Sequence, residues 1–277
     1  MPELPEVETI VREIGPSITG HKIAGVEVRS GSSVASLSPE DLASGLVGRK
    51  IERVRRRAKY IVIDLENGNK LVVHLAMTGR LLLRATGSPE DRFTRIVFTL
   101  DKGQEVRYAD ARKFGRVRLL TPAEYEKIDR RHGPEPLTAD FKLEEFRQGL
   151  RRRSTRIKPL LLDQSFVAGL GNIYADEALY EARINPARPA RALSDDEIAR
   201  LFRAIRHVLA AGVRDRGTTF DSYVDAFGRI GGHQFRLSVY RKTGEPCPRC
   251  GTPIERQVIA GRSSHFCPKC QPFTAPI

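Results

Sequence analysis

Four cysteines constrain this chain more tightly than any other residues, because they fall in two pairs, Cys247-Pro248-Arg249-Cys250 and Cys267-Pro268-Lys269-Cys270. Each pair has C-x2-C spacing, and 16 residues separate the pairs. Two such knuckles suit a tetrahedral four-thiolate zinc site, with two thiolates from each turn. A disulfide framework would be spread along a secreted chain. Cysteines clustered in a reducing compartment read as metal ligands. No His or carboxylate is placed to leave an open coordination position, so the expected ion is one structural Zn2+ per chain. Between the knuckles lies Ala260-Gly261-Arg262-Ser263-Ser264, a turn with a basic residue at its tip. Residues 235–277 carry seven Lys/Arg and two Glu, a net +5, so the stapled hairpin suits a phosphate or a groove.

The whole chain shares this bias. Its 277 residues hold 47 Lys and Arg against 34 Asp and Glu, a net charge of +13. An excess of this size points to a polyanionic partner, nucleic acid first and an anionic membrane second. No run of 18 apolar residues exists, so no membrane span is expected. The N-terminus is acidic and lacks an apolar stretch, unlike a secretory signal, and the chain is expected to stay in the cytoplasm.

Residues 5–15 place Val7, Ile10, Val11 and Ile14 at helical spacing, and Gly15-Pro16 is the expected end of that amphipathic helix. From about 22 to 120 the pattern changes to short β-type runs: Lys22–Arg29, Tyr60–Leu65, Leu71–Leu75, Arg95–Leu100 and Arg116–Leu120. Turn residues punctuate them, which suggests a β-sandwich or barrel. Ser38-Pro39-Glu40-Asp41 opens a short helix with Pro at its first position. Residues 121–145 are polar and rich in Pro and Gly, as an interdomain linker would be. Helices are expected over 143–152, 158–164 and 173–182. A longer one opens at the capping box Ser194-Asp195-Asp196-Glu197 and carries Ile198, Leu201, Phe202, Ile205, Val208 and Leu209 on one face.

Chemistry concentrates at the N-terminus, Met1-Pro2-Glu3-Leu4-Pro5-Glu6-Val7-Glu8. A small residue after Met1 favours its removal, leaving a free secondary amine on Pro2 beside Glu3 and Glu6. An α-amine titrates at about 7.7–8.0, so a useful fraction is neutral and nucleophilic near neutral pH. The plainer reading is a helix start, with Pro5 in the first turn and carboxylates at the positive helix end.

Other groups are less specific. Gly169-Leu170-Gly171-Asn172 precedes a helix, and its N–H groups and Asn172 suit a phosphate; an N-cap at Asn172 is the alternative. His74–Arg80 and Asp110–Arg116 read as strand–turn–strand tips. Met77, Arg112 and Phe114 are large for turns and suit a wedge into a base stack, or else mark the edge of a core. Arg55-Arg56-Arg57-Ala58-Lys59 reads as a solvated charge run, with Lys59 at a strand start facing phosphate.

These pieces, in this order, resemble the formamidopyrimidine-DNA glycosylase family across essentially the whole chain. The resemblance rests on Pro2–Thr9, Lys59-Tyr60, His74–Gly79, Asp110–Gly115, Gly169–Tyr174, Val239-Tyr240 and the finger ending at Gln271. It implies an α+β fold in two domains: an N-terminal β-sandwich with flanking helices, and a C-terminal helical domain with a helix–two-turn–helix and a β-hairpin zinc finger. The implied boundaries are 1–128 for the catalytic sandwich, 129–145 for the linker, 146–234 for the helical domain and 235–277 for the finger.

The implied partner is duplex DNA containing oxidised bases or abasic sites, bound by a monomer. The implied activity is excision of oxidised purines followed by β,δ-elimination through a Pro2 Schiff base. Glu3 would handle protons at the sugar, Glu6 would hold the terminus, and Lys59 would contact phosphate. Asn172 and Arg262 would clamp phosphates, with further backbone contacts from His74, Lys158 and Tyr240. Met77, Arg112 and Phe114 would fill the gap left by the extruded base, and the loop around 217–234 would cover that base. The family commonly has Gly where this chain has Ala58. Other readings stay open here: an endonuclease VIII-like enzyme for oxidised pyrimidines, whose N-terminus typically has Gly where this chain has Leu4; a non-catalytic zinc-finger DNA-binding protein; and an RNA-associated basic protein.

Overall fold

A computed structural model of the chain describes residues 1–273. The chain divides into two units, residues 1–130 with 213–234, and residues 131–212 with 235 onward. Among the described residues no helix is long and apolar enough to cross a membrane.

The first unit runs α1 (Leu4–Ile18), β1 (Ile23–Val28), α2 (Pro39–Leu46), β2 (Ile51–Arg57), β3 (Tyr60–Leu65), β4 (Lys70–His74), β5 (Gly79–Ala85), β6 (Thr94–Leu100), β7 (Gln104–Asp110), β8 (Arg116–Leu120) and α3 (Pro122–Asp129). Its strands form two antiparallel four-stranded sheets, ordered β1-β6-β7-β5 and β2-β3-β4-β8. Strand alternation explains the layering. Ile61, Ile63 and Leu65 of β3 join Phe98 of β6 and Val106 and Tyr108 of β7 in one core. Val62 and Val72 face the other way and pack with Leu120 of β8 and Tyr125 of α3. Val7, Ile10, Ile14 and Ile18 of α1 are fully buried in the sandwich core.

Three expectations need correction. First, α1 does not stop at Gly15-Pro16 but runs to Ile18. Proline near a helix end forfeits little of the hydrogen-bond ladder; Thr19 N–H still closes on Gly15, and burial of Ile18 rewards the extra turn. Second, Arg55-Arg56-Arg57 is strand β2, not a solvated run. As an edge strand it carries charge, and each guanidinium is paired: Arg55 with Asp64, Arg56 with Glu8, and Arg57 with Asp129. Third, residues 213–234 belong with the sandwich and not with the helical domain. Tyr223 and Ala226 sit in the sandwich core, and Glu13 of α1 holds Arg216, Arg229 and the Ala226 N–H.

The second unit contains α4 (Leu143–Arg151), α5 (Ile157–Leu162), α6 (Asn172–Ala182), α7 (Asp195–Arg214) and the hairpin β9 (Glu255–Ile259) and β10 (Arg262–Phe266). The capping box forms as read: Ser194 Oγ accepts from Glu197 N–H, and the Glu197 carboxylate accepts from Ser194 N–H. Two turns over residues 163–171 join α5 to α6. The Gln164 amide holds them, donating to the Leu162 and Leu170 carbonyls and accepting from Gly169 N–H.

The β2–β3 turn gives a test. Ala58 has φ +51, at the position where a type II′ hairpin turn takes glycine. A left-handed non-glycine residue costs about 1–2 kcal/mol, partly offset by the greater unfolded-state freedom of glycine. Ala58→Gly is expected to raise the unfolding free energy by about 0.5–1 kcal/mol, read as a higher urea midpoint; an unchanged or lower midpoint would show no strain there.

Candidate active site

In the first unit the reactive end precedes α1. Pro2 is buried, Glu3 is 3% exposed and Glu6 is 1% exposed. Glu3 is the helix N-cap in extended backbone. The Glu6 carboxylate accepts the Glu3 N–H at 2.8 Å through Oε2 and the Thr218 N–H at 2.7 Å through Oε1. It therefore joins the residue beside Pro2 to the start of the 217–234 loop. Met1 is 47% exposed. While it is attached, the Pro2 nitrogen is an amide nitrogen whose lone pair is delocalised. Removal of Met1 turns it into an amine.

Contacts along α1 show where this end lies. Gly15 packs beside Val54, and Glu8 pairs with Arg56, so the helix start points toward the Ala58-Lys59 turn. Lys59 is 8% exposed in that turn. In register, Tyr60 pairs with His74, and His74 with Arg116. The Tyr60 and His74 rings lie 4.8 Å apart. The loops after His74 and before Arg116 leave the sheet from this same end.

Those two loops carry the expected wedge, but they are not hairpin tips. Each passes from one sheet to the other, ending and starting at the paired residues Gly79 and Asp110. Met77 is 40% exposed and Phe114 52% exposed, and the Arg112 guanidinium stands 4.5 Å over the Phe114 ring. Beneath them is Asp110, fully buried. Its carboxylate accepts from Thr78 Oγ1, Tyr108 OH, Gly115 N–H and Arg112 N–H. Burial would raise its pKa, but these donors outweigh burial and hold the carboxyl below the usual carboxylate range.

In the second unit all four cysteine Sγ atoms lie within 4.8 Å of one another. The Cys250–Cys267 and Cys247–Cys270 separations are 3.5 and 3.9 Å. A tetrahedron of zinc–sulfur bonds of about 2.3 Å has an edge of about 3.8 Å, so the residues fit zinc. Arg249 N–H and Cys270 N–H donate to Cys247 and Cys267 sulfurs, as knuckle backbones do when they support thiolates. The zinc is structural: it closes a basic hairpin whose turn, Ala260-Gly261, has two positive φ angles.

Arg262 is exposed beside that turn. Asn172 opens α6, whose N-cap is Gly171 and not Asn172. Asn172 therefore sits at the positive pole of α6, and its Oδ1 is buried with no hydrogen-bond partner among the described residues. Tyr240 is half-buried with its ring on His265, and its N–H is held by Glu177.

Lys158 is corrected: it is fully buried, and no phosphate reaches it. Its ammonium pairs with Asp176 at 2.6 Å and donates to the Ser263 carbonyl. Asp176 also accepts from the His265 N–H and faces His265 Nδ1. Lys158 therefore anchors the hairpin to α5 and α6. Reading the sequence missed Asp110, Asp176, Glu177 and Gln271 as organising groups. The one available signal was an Asp-Glu pair within the apolar run of α6. Gln271 is fully buried; its amide accepts from Cys267 N–H and donates to the Ile184 carbonyl.

Family profiles match three segments: the formamidopyrimidine-DNA glycosylase N-terminal domain over residues 1–117, its H2TH domain over 132–223, and the zinc finger found in FPG and IleRS over 244–272. A formamidopyrimidine-DNA glycosylase of Herpetosiphon aurantiacus is 49% identical, covering 98% of this chain and 100% of the relative. One from Pelotomaculum thermopropionicum is 47% identical, over 98% and 99% of the two chains. Among solved structures, a Lactococcus lactis FPG mutant bound to Fapy-dG-containing DNA has a TM-score of 0.91 and 37% identity, over 98% and 100%. The MutM (FPG) protein of Thermus thermophilus has a TM-score of 0.88 and 43% identity, over 98% of each chain.

Metal content, stability and salt dependence test the second unit. Atomic absorption is expected to find one zinc per chain, and Cys267→Ser is expected to lose it together with hairpin order, since structural zinc contributes folding energy outright. Metal-free active protein would refute this. Lys158→Met is expected to destabilise the fold by about 3–5 kcal/mol by removing the lysine paired with buried Asp176, without changing the salt dependence of DNA binding. Arg262→Ala is expected to do the reverse, lowering the slope of log K against log salt by about 1.

Proposed function

The chain belongs to the formamidopyrimidine-DNA glycosylase family, and on that premise we propose that it is a bifunctional base-excision enzyme acting on oxidised purines in duplex DNA. One observation carries the reading: a Pro2-Glu3 terminus held by a buried carboxylate, at the end of the sandwich from which Met77, Arg112 and Phe114 project. Lactococcus lactis relatives have been solved with DNA containing Fapy-dG or an abasic site.

The damaged nucleotide must leave the helix before its sugar is reachable. Phe114 wedges the stack, Arg112 faces the orphaned cytosine and Met77 fills the gap. The loop around 217–234 covers the extruded base. The Pro2 amine, free of Met1, attacks the anomeric carbon; the base departs with the electrons of its glycosidic bond. Sugar-ring opening leaves a cationic iminium on Pro2, an electron sink for loss of a proton from the neighbouring carbon. β-Elimination then releases one phosphate and δ-elimination the other. Glu3 moves protons at the sugar during opening and elimination. Glu6 holds the terminus, and Lys59 faces the phosphate of the second elimination. Asn172 and Arg262 hold backbone phosphates, with His74 and Tyr240 alongside. We place the protein in the cytoplasm as a monomer on DNA, because four zinc-binding thiolates need a reducing compartment.

The test is covalent capture. Processed protein incubated with an 8-oxoguanine:cytosine duplex and borohydride is expected to give a protein–DNA adduct mapping to residue 2. Protein retaining Met1 is expected to give none. An adduct that forms with a blocked N-terminus would overturn the mechanism, and faster excision of an oxidised thymine than of 8-oxoguanine would overturn the purine preference.

A further inference from the structure

We propose that Asp110 is a positioning residue for base extrusion: its single carboxylate locks the two loops bearing Met77, Arg112 and Phe114 into one rigid wedge. This rests on the reading of those three side chains given above. The loops are separate in sequence, and each crosses independently between the sheets. What joins them is polar. Asp110 Oδ1 accepts from Thr78 Oγ1 of the first loop and from Arg112 N–H of the second, the latter at 3.2 Å. Arg112 N–H also reaches Thr78 Oγ1, at 3.1 Å. Oδ2 accepts from Gly115 N–H at 2.8 Å and Tyr108 OH at 3.1 Å.

An ionised carboxylate offers acceptors only, in about four directions, and here each direction meets a donor. The second loop is pressed onto this centre. A Cβ on Gly115 would stand 2.1 Å from Tyr108 OH and 2.6 Å from the His74 carbonyl, so a larger residue has no room. Ala76 and Lys113 take φ of +49 and +58. Such backbones persist where surroundings over-determine them. The result is large, exposed side chains on a base with little freedom. Ordering a loose loop during extrusion would subtract from the binding energy available to unstack the duplex, and a preformed wedge avoids that loss.

Asparagine at 110 is nearly isosteric but turns one oxygen into a donor, which then faces a donor. Asp110→Asn and Thr78→Val are therefore expected to slow excision of 8-oxoguanine from a duplex by about tenfold or more. They are also expected to abolish the fluorescence rise of 2-aminopurine placed next to the lesion. Cleavage of a duplex already carrying an abasic site, where no base needs extrusion, is expected to change less than about twofold. Thr78→Ser, which keeps the hydroxyl, is expected to restore excision and fluorescence. Equal loss on both substrates would mean a merely structural role, and no loss on either would mean no clamp; each overturns the proposal. Phe114→Ala separates the two readings. If it leaves excision and fluorescence intact, the wedge reading has failed. If it impairs both while Asp110→Asn does not, the clamp alone has failed.

Discussion

The reactive end depends on one buried acid. Glu6 lies in the first turn of α1 with almost no exposure, and its two oxygens take the backbone N–H of Glu3 and of Thr218. A buried carboxylate is costly unless its hydrogen-bonding capacity is used, and here the helix N-terminus and two N–H donors supply that compensation. Two turns on, Glu13 repeats the device with Arg216, Arg229 and the Ala226 N–H. One face of α1 fills the sandwich core with Val7, Ile10 and Ile14, while acids on its remaining surface bind a loop more than 200 residues away in sequence. The helix is both the support of the terminus and the dock of the loop.

Buried acids that accept backbone N–H groups recur at the other organising points. Asp110 ties two crossing loops, Asp176 seats the zinc hairpin, and Glu177 accepts three consecutive N–H groups from Ser238, Val239 and Tyr240. This gives the composition a physical sense. In a chain with a net charge of +13, acids are drawn inward as loop organisers, whereas Arg112 and Arg262 stay at the surface. The interior uses carboxyl oxygens to accept from N–H donors that loops otherwise leave unpaired. The exterior keeps cations for a polyanion.

Much of this was legible in the residues. The periods of α1, β3, β4, β6, β8 and α7, the caps at Ser38 and Ser194, and the cysteine spacing all reflect short-range physics, and the structure agrees with them. Strand β2 was hidden because its arginines find partners on α1, β3 and α3, which no local window contains. Lys158 was misread for a related reason. Its backbone contact came from the family resemblance alone, and only Asp176, on the next helix, makes its burial tolerable.

By itself the sequence determined the chemistry available: a proline second in the chain with glutamates beside it, four thiolates at metal-binding intervals, and large residues in two turns. Such features depend on side-chain identity and near-neighbour spacing. The tertiary structure alone decided which groups act together. It assigned residues 213–234 to the sandwich, made Lys158 an anchor, and put Asp110 beneath both crossing loops. Those outcomes depend on pairing buried charges with donors distant in sequence, and the energy of such a pair exists only once the chain has brought its members into contact.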